Sequence, residues 1–201
     1  MKFRKFVSCC VLMGTMFGLA GAASADVWDT VKEAYVFSFP LVLMDSTKIC
    51  GTNTVTPTER KAPVNQFLHM KTLATAKFRQ VVTPNVDTLY SQLFIDVSED
   101  AVVIHKPAAD RFLSLEIMDA WSDCVTVLGT GGKDDTEGER TYLLTGPNFK
   151  GTVPDGMKQV KMPTAIGWLL GRTVCLGDDD LPNVYAIQSE LTAKTDRKSV
   201  V

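Results

Sequence analysis

Histidine is nearly absent: His69 and His105 are the only two in 201 residues. Any reaction built on an imidazole base, whether a Ser-His-acid triad or a Cys-His pair, must therefore use one of them. GxSxG, HExxH, a Walker phosphate loop and a dinucleotide fingerprint are all missing, and Gly129, Gly131 and Gly132 fall in a hairpin-like context rather than between a strand and a helix. The commonest hydrolase, zinc-protease, nucleotide and redox readings go with them, and no motif asks for a cofactor. Cys9 and Cys10 lie in an N-terminal apolar stretch, while Cys50, Cys124 and Cys175 show no CxxC spacing. One disulfide with a thiol left over, or free thiols packed as small apolar groups, both fit these three. Charge is balanced, with 21 basic and 23 acidic residues, which gives nucleic acid no electrostatic footing. Internal repeats and low-complexity tracts are absent too. With 45% hydrophobic and 22% charged residues, the composition is that of one ordinary globular domain.

What is present begins with an address. Lys2, Arg4 and Lys5 precede an apolar stretch from Phe6 to Leu19, and small residues follow up to Ala23-Ser24-Ala25. Small side chains one and three positions before a cut suit the shallow pockets of a signal peptidase, so residues 1–25 read as a secretory signal cleaved after Ala25. Removing those three cations takes the net charge from -2 to -5. An uncleaved anchor is the alternative, since a span needs about 20 apolar residues; Gly14, Thr15, Gly18, Gly21 and Ser24 dilute this one. No second hydrophobic run reaches spanning length, so a protein free of the membrane, periplasmic or secreted, is expected after cleavage.

Residues 26–195 then form the domain, and 196–201 a polar tail. From Asp26 to Lys48, Val31, Ala34, Tyr35, Ser38, Leu41 and Val42 recur at helical spacing, with Asp26 as a cap and Pro40 expected to kink or end the helix. Residues 51–66 read as a polar loop and Phe67 to Ala76 as a short helix. Eight short segments rich in Val, Ile, Leu, Thr and aromatics follow: Lys77–Thr83, Leu89–Val97, Ala101–Lys106, Arg111–Met118, Cys124–Gly129, Arg140–Thr145, Met157–Met162 and Gly167–Leu176. Such regular spacing predicts a mainly β (α+β) fold: an antiparallel β-sandwich or barrel of about eight short strands with an N-terminal helix and a short C-terminal helix. Leu89, Leu93, Ile95 and Val97 share parity and should face the core, while Phe94 on the other side predicts that this side is partly covered. Gly131 to Gly138 reads as a solvated hairpin tip. Asp178 to Asp180 should cap a last helix, about Leu181 to Ala193.

The candidate functional residues are few. His69 follows the polar run Pro63 to Gln66 and is the better placed histidine; His105, in an apolar strand beside Lys106 and Pro107, reads as structural. Around Pro84 to Ser91, Asn85, Asp87 and Tyr90 either fix a turn and the strand register or offer oxygens and amides to a ligand or a hard cation, with Asp119 as a third cation ligand. Trp121 and Trp168 are core aromatics or stacking plates. Arg172, in an apolar run, needs a carboxylate partner, for which Asp119 and Asp123 are the expected choices.

Six motifs in order resemble one bacterial family: YVFSFPLVL (35–43), APVNQF (62–67) followed by His69, PNVDTLYS (84–91), DAWSD (119–123), Gly146-Pro147 and PTAIGWLLGR (163–172). The resemblance is to domain of unknown function 1254 and covers roughly Trp28 to Thr195. It implies an exported, β-rich domain, usually followed in the same chain by a second β-rich module, domain of unknown function 1214, and it supplies no reaction. The family's motif positions fall here on Asn65, Gln66, His69, Asn85, Asp87, Tyr90, Asp119, Trp121 and Arg172. This sequence stops at Val201, where the family continues, so a lone domain, a separately encoded partner module and a truncated frame are all open.

Two functional readings follow. In the first, Asn65, Gln66, Asn85, Tyr90, Trp121 and Arg172 hold a small ligand or a partner β-module. In the second, a hydrolase-like enzyme uses His69 as general base, with Asp87 or Asp119 orienting it and Arg172 neutralising an anion. Unpaired strand edges also make a homo-oligomer an expectation.

Overall fold

The computed structural model describes residues 3–79, 84–132 and 137–196, with residues 3–25 described by their backbone alone. The chain divides into two compact units, Met1–Val42 and Leu43–Val201. The first is helical. Helix α1 (Phe3–Thr52) begins there and ends in the second unit, so Asp26 lies inside it rather than capping it, and Pro40 does not end it. Proline removes one amide donor and crowds one carbonyl, a local loss of about 3 kcal/mol that the remaining turns absorb. The unit boundary falls two residues beyond Pro40. Among the described residues no helix is long and apolar enough to cross a membrane.

The second unit is a two-sheet sandwich. Its strands are β1 (Leu68–His69), β2 (Thr88–Asp96), β3 (Ala101–Lys106), β4 (Leu113–Asp119), β5 (Cys124–Gly129), β6 (Arg140–Thr145), β7 (Met157–Lys161), β8 (Ile166–Val174) and β9 (Thr192–Asp196). One sheet has the order β1-β2-β8-β4-β5 and the other β7-β6-β3-β9. All pairings are antiparallel except β6 with β7, which is parallel.

Period-two alternation explains the core. Leu93, Ile95, Leu113, Leu115, Ile117 and Leu169 from the first sheet meet Val102, Ile104, Tyr142 and Leu144 from the second, all essentially without solvent contact. Leu89 and Val97 are buried on the same parity, as expected. Phe94, on the opposite face, is covered as well and stacks on Trp168 at 5.4 Å.

Four expectations need correction. Phe67 to Ala76 is not a helix; its only regular element is β1, because Leu68 and His69 pair with Gln92 and Ser91. Of the segment Lys77–Thr83, residues 80–83 lie outside the described residues and 77–79 form no strand. β5 and β6 belong to different sheets, so residues 131–138 join the sheets instead of closing a hairpin, with 133–136 outside the described residues. The last helix, α2 (Leu181–Glu190), stops early because Leu191 is extended and β9 begins; β9 exists through its pairing with β3.

The acids Asp178–Asp180 form a single 3-10 turn before α2, and Asp180 makes no side-chain cap bond. Its carboxylate instead accepts from the Leu176 N–H at 3.0 Å, from Asn183 Nδ2 at 2.8 Å and from Arg111. A second small core of Leu89, Cys175 and Val184 docks α2. Cys50, Cys124 and Cys175 are free thiols. Lys106 is fully buried, and its ammonium donates to Pro107 O at 3.0 Å and Gly138 O at 2.9 Å.

Two glycines with positive φ test this packing. A Cβ at Gly129 would sit 2.3 Å from Leu113 O, whereas at Gly156 it would meet nothing within 4 Å. Gly156→Ala should therefore lose only the left-handed backbone penalty, about 1 kcal/mol. Gly129→Ala adds a clash between paired strands and should lose roughly 3 kcal/mol or more in urea unfolding. Equal losses would show that β4 and β5 are not packed as described.

Candidate cleft at the open edge of the sandwich

Neither sheet closes, and β1 and β9 end their sheets on one side. Between them lies a cleft of about 600 Å³, lined by residues 64–67, His69, Lys71, Gln188, Ser189 and 191–195. Its walls are tied together by side chains. Asn65 adopts φ 61°, a left-handed conformation that asparagine tolerates, and its amide copies a strand pairing. Asn65 Nδ2 donates to Asp96 O and Asp96 N donates to Asn65 Oδ1, both at 2.9 Å. Opposite, the fully buried Gln188 of α2 donates through Nε2 to Met70 O at 3.1 Å and accepts from Lys71 Nζ at 2.9 Å. The Lys71 ammonium also lies 4.7 Å over the Tyr185 ring, and the Tyr185 hydroxyl donates to Lys71 O.

His69 is the centre of this wall. Its register partner Ser91 lies on the core side of β2, wholly buried, and Ser91 Oγ is 2.9 Å from His69 Nδ1. That contact is the only side-chain hydrogen bond of Ser91 among the described residues. A buried hydroxyl that accepted from Nδ1–H would leave its own proton without an acceptor, at a penalty of about 1–3 kcal/mol. Ser91 therefore donates, and the imidazole is the tautomer protonated at Nε2. Burial, and then the charge of Lys71, lower the His69 pKa to about 4, so the ring is neutral at pH 7. Its face stacks on Phe67 at 5.4 Å with 16° between planes.

The other sequence candidates lie elsewhere. Gln66 is exposed and lines the cleft. Asp119 is buried at the end of β4, where its Oδ1 accepts from the N–H groups of Trp121 at 2.8 Å and Asp123 at 3.1 Å. It builds the β4–β5 turn. Three strand spacings and four residues along the sheet place it about 20 Å from His69. Asp87 is exposed at the opposite end of β2, and its carbonyl accepts from Cys175 N at 2.8 Å. Thr88 pairs with Val174 and Asp119 with Gly167, so seven residues of β8 separate the two acids by roughly 23 Å. Asn85, Asp87 and Asp119 thus form no common cation site, and no cluster of three metal-ligating side chains occurs among the described residues.

Tyr90 and Arg172 pair across β2 and β8 on the face opposite to His69. The guanidinium lies 5.9 Å over the Tyr90 ring, and Asn85 N donates to the Tyr90 hydroxyl at 3.3 Å. Arg172 does find a carboxylate, but it is Glu116, with Nη1 donating to Oε2 at 2.7 Å. Asp119 faces the core and Glu116 faces outward, as Arg172 does, which decides the pairing. His105 lies on β3 outside the cleft, 3.8 Å from the Glu139 carboxylate. Sequence reasoning missed Phe67, Lys71, Ser91 and Gln188. Ser91 alone carried a signal, as the one polar side chain on a core parity between Leu89 and Leu93.

Comparison with known proteins gives a family without a reaction. The model for the family described as "Protein of unknown function (DUF1254)" matches residues 64–195. The crystal structure of the VPA0106 protein from Vibrio parahaemolyticus superposes with a TM-score of 0.65 at 19% identity, over 83% of this chain and 38% of that one. An uncharacterised protein from Burkholderia cenocepacia gives a TM-score of 0.41 at 14% identity, over 66% of this chain and 34% of that one. The chain thus spans less than two-fifths of the length of either structure. No curated protein matches it.

The low His69 pKa has a measurable sign. In the unfolded chain the ring takes up its proton near pH 6.5, and in the fold only near pH 4. Stability should therefore be full above pH 6.5 and fall as the pH drops from 6.5 towards 4, by on the order of 2 kcal/mol once solvent access to the ring is allowed for. His69→Phe should remove that part of the slope in urea melts between pH 4 and 7. Identical slopes for both proteins would show that His69 titrates normally.

Proposed function

The chain belongs to the DUF1254 family, and from that footing we propose that it is an exported binding module that holds a small ligand in the cleft between β1 and β9. The observation that carries this reading is the combination of a 600 Å³ opening between two unpaired sheet edges with a wall of polar groups fixed by half-buried hydrogen bonds. Binding sites are typically concave, partly apolar and supplied with a few oriented polar groups. Phe67, Leu191 and Ala193 give the apolar part, and Gln66, His69 and Lys71 the polar part.

Catalysis is less well supported. The nitrogen that faces the cleft carries the proton, the Ser91 hydroxyl held by the other nitrogen is wholly buried and out of a substrate's reach, and neither Asp87 nor Asp119 stands near the ring. Export rests on the basic start, the apolar stretch and the Ala23-Ser24-Ala25 ending. A second β-rich module beside the open edges is the natural partner, because the VPA0106 protein, with which this chain shares a fold, has more than twice its length.

The test is a fragment screen read by thermal melting, on the native chain and on Thr195→Trp, which fills the cleft from an exposed position on β9. A ligand at 100 times its Kd should raise the melting temperature by roughly 5–10 °C. The shift should vanish in Thr195→Trp. Shifts that persist in that variant, or none across the screen, would contradict the cleft as the binding site.

A further inference from the structure

The chemistry of the cleft narrows the ligand class. The polar side chains that line it are weighted towards donors, and no Asp or Glu is among the lining residues. His69 Nε2 has no hydrogen-bond partner among the described residues and is not among the buried unsatisfied atoms, so it is open to solvent. As the Nε2–H tautomer it is a donor. Lys71 sits two residues further along the same chain segment, about 7 Å away. One of its three N–H groups is taken by Gln188, which leaves two. Exposed Lys194 borders the cleft through β9, but its register partner Val103 places its side chain on the outer face of that sheet, so Lys71 is the cation of the cleft wall. The C-terminal end of α2 contributes only about half an elementary charge of the opposite sign. Beside the donors, Phe67, its ring stacked on that of His69, supplies aromatic surface.

We propose that the cleft takes a small carboxylate with a flat apolar body, its oxygens received by His69 Nε2–H and Lys71 Nζ and its body laid against Phe67. This rests on the binding reading above and specifies its ligand. Ser91 is then a positioning residue, which keeps the Nε2 proton in place. A donor array that finds no acceptor discriminates against cations and, more weakly, against neutral isosteres.

Three probes with one body and three charges test it: 3-phenylpropionate, 3-phenylpropanamide and 3-phenylpropylammonium, titrated into the full chain and followed by NMR through the backbone amide signals of the cleft residues 64–67 and 191–195. The carboxylate should bind at least tenfold tighter than the amide, weaken with added salt, and outcompete the ammonium entirely. Lys71→Met should abolish the preference of carboxylate over amide, and Lys71→Arg should retain most of it. His69→Phe keeps the aromatic stack but loses one donor, and should weaken the carboxylate severalfold while leaving the amide nearly unchanged. Equal binding of amide and carboxylate, or tighter binding of the ammonium, overturns the anion preference and leaves a ligand cleft standing. No binding of any of the three at millimolar concentration overturns both.

Discussion

A hydroxyl sealed between two β-sheets has to find an acceptor, and the cleft is arranged around that necessity. The inward row of β2 runs Leu89, Ser91, Leu93, Ile95, and every member but one is apolar. Water cannot reach Ser91, so its hydrogen bond must come from the neighbouring strand. The two-residue β1 supplies it, by presenting His69 at that register position. Ser91 and His69 thus each answer a requirement of the other, since the ring is fixed in one tautomer as the hydroxyl is satisfied. Asn65 and Gln188 hold the flanks of this short edge, one against β2 and the other from α2.

Much of the architecture could be read from alternation. β3, β5 and β6 begin and end where the sequence pattern places them, and the core parity of β2 was visible in its leucines and isoleucine. What could not be read depends on contacts between distant segments. β9, Thr-Ala-Lys-Thr-Asp, has little strand propensity and is extended because β3 offers it an unpaired edge. β1 is too short for any periodicity to show. The joining of β5 to β6 across the two sheets was likewise hidden, because strand strength does not say which sheet a strand enters.

The same distinction runs through the functional residues. His69 was legible as the one well-placed histidine, and it lines the cleft between β1 and β9. Asp119 and Asn65 were legible as unusual polar residues, yet their side chains are spent on a turn and on a strand-like pairing. Arg172 and Tyr90 belong to an outward-facing group completed by Glu116. Motif position alone cannot separate a polar residue that holds the fold from one that faces a ligand. Parity on the strand can, once the register is known.

The proton on His69 decides the account most directly. Long-range ¹⁵N–¹H correlation of the imidazole at neutral pH, on the native chain and on Ser91→Ala, reports which nitrogen carries it. The account predicts a neutral ring protonated at Nε2 in the native chain, and a mixture of tautomers once the serine hydroxyl is gone. A ring protonated at Nδ1, or a charged ring at pH 7, would contradict it, because the cleft would then lose the fixed donor on which its ligand chemistry depends.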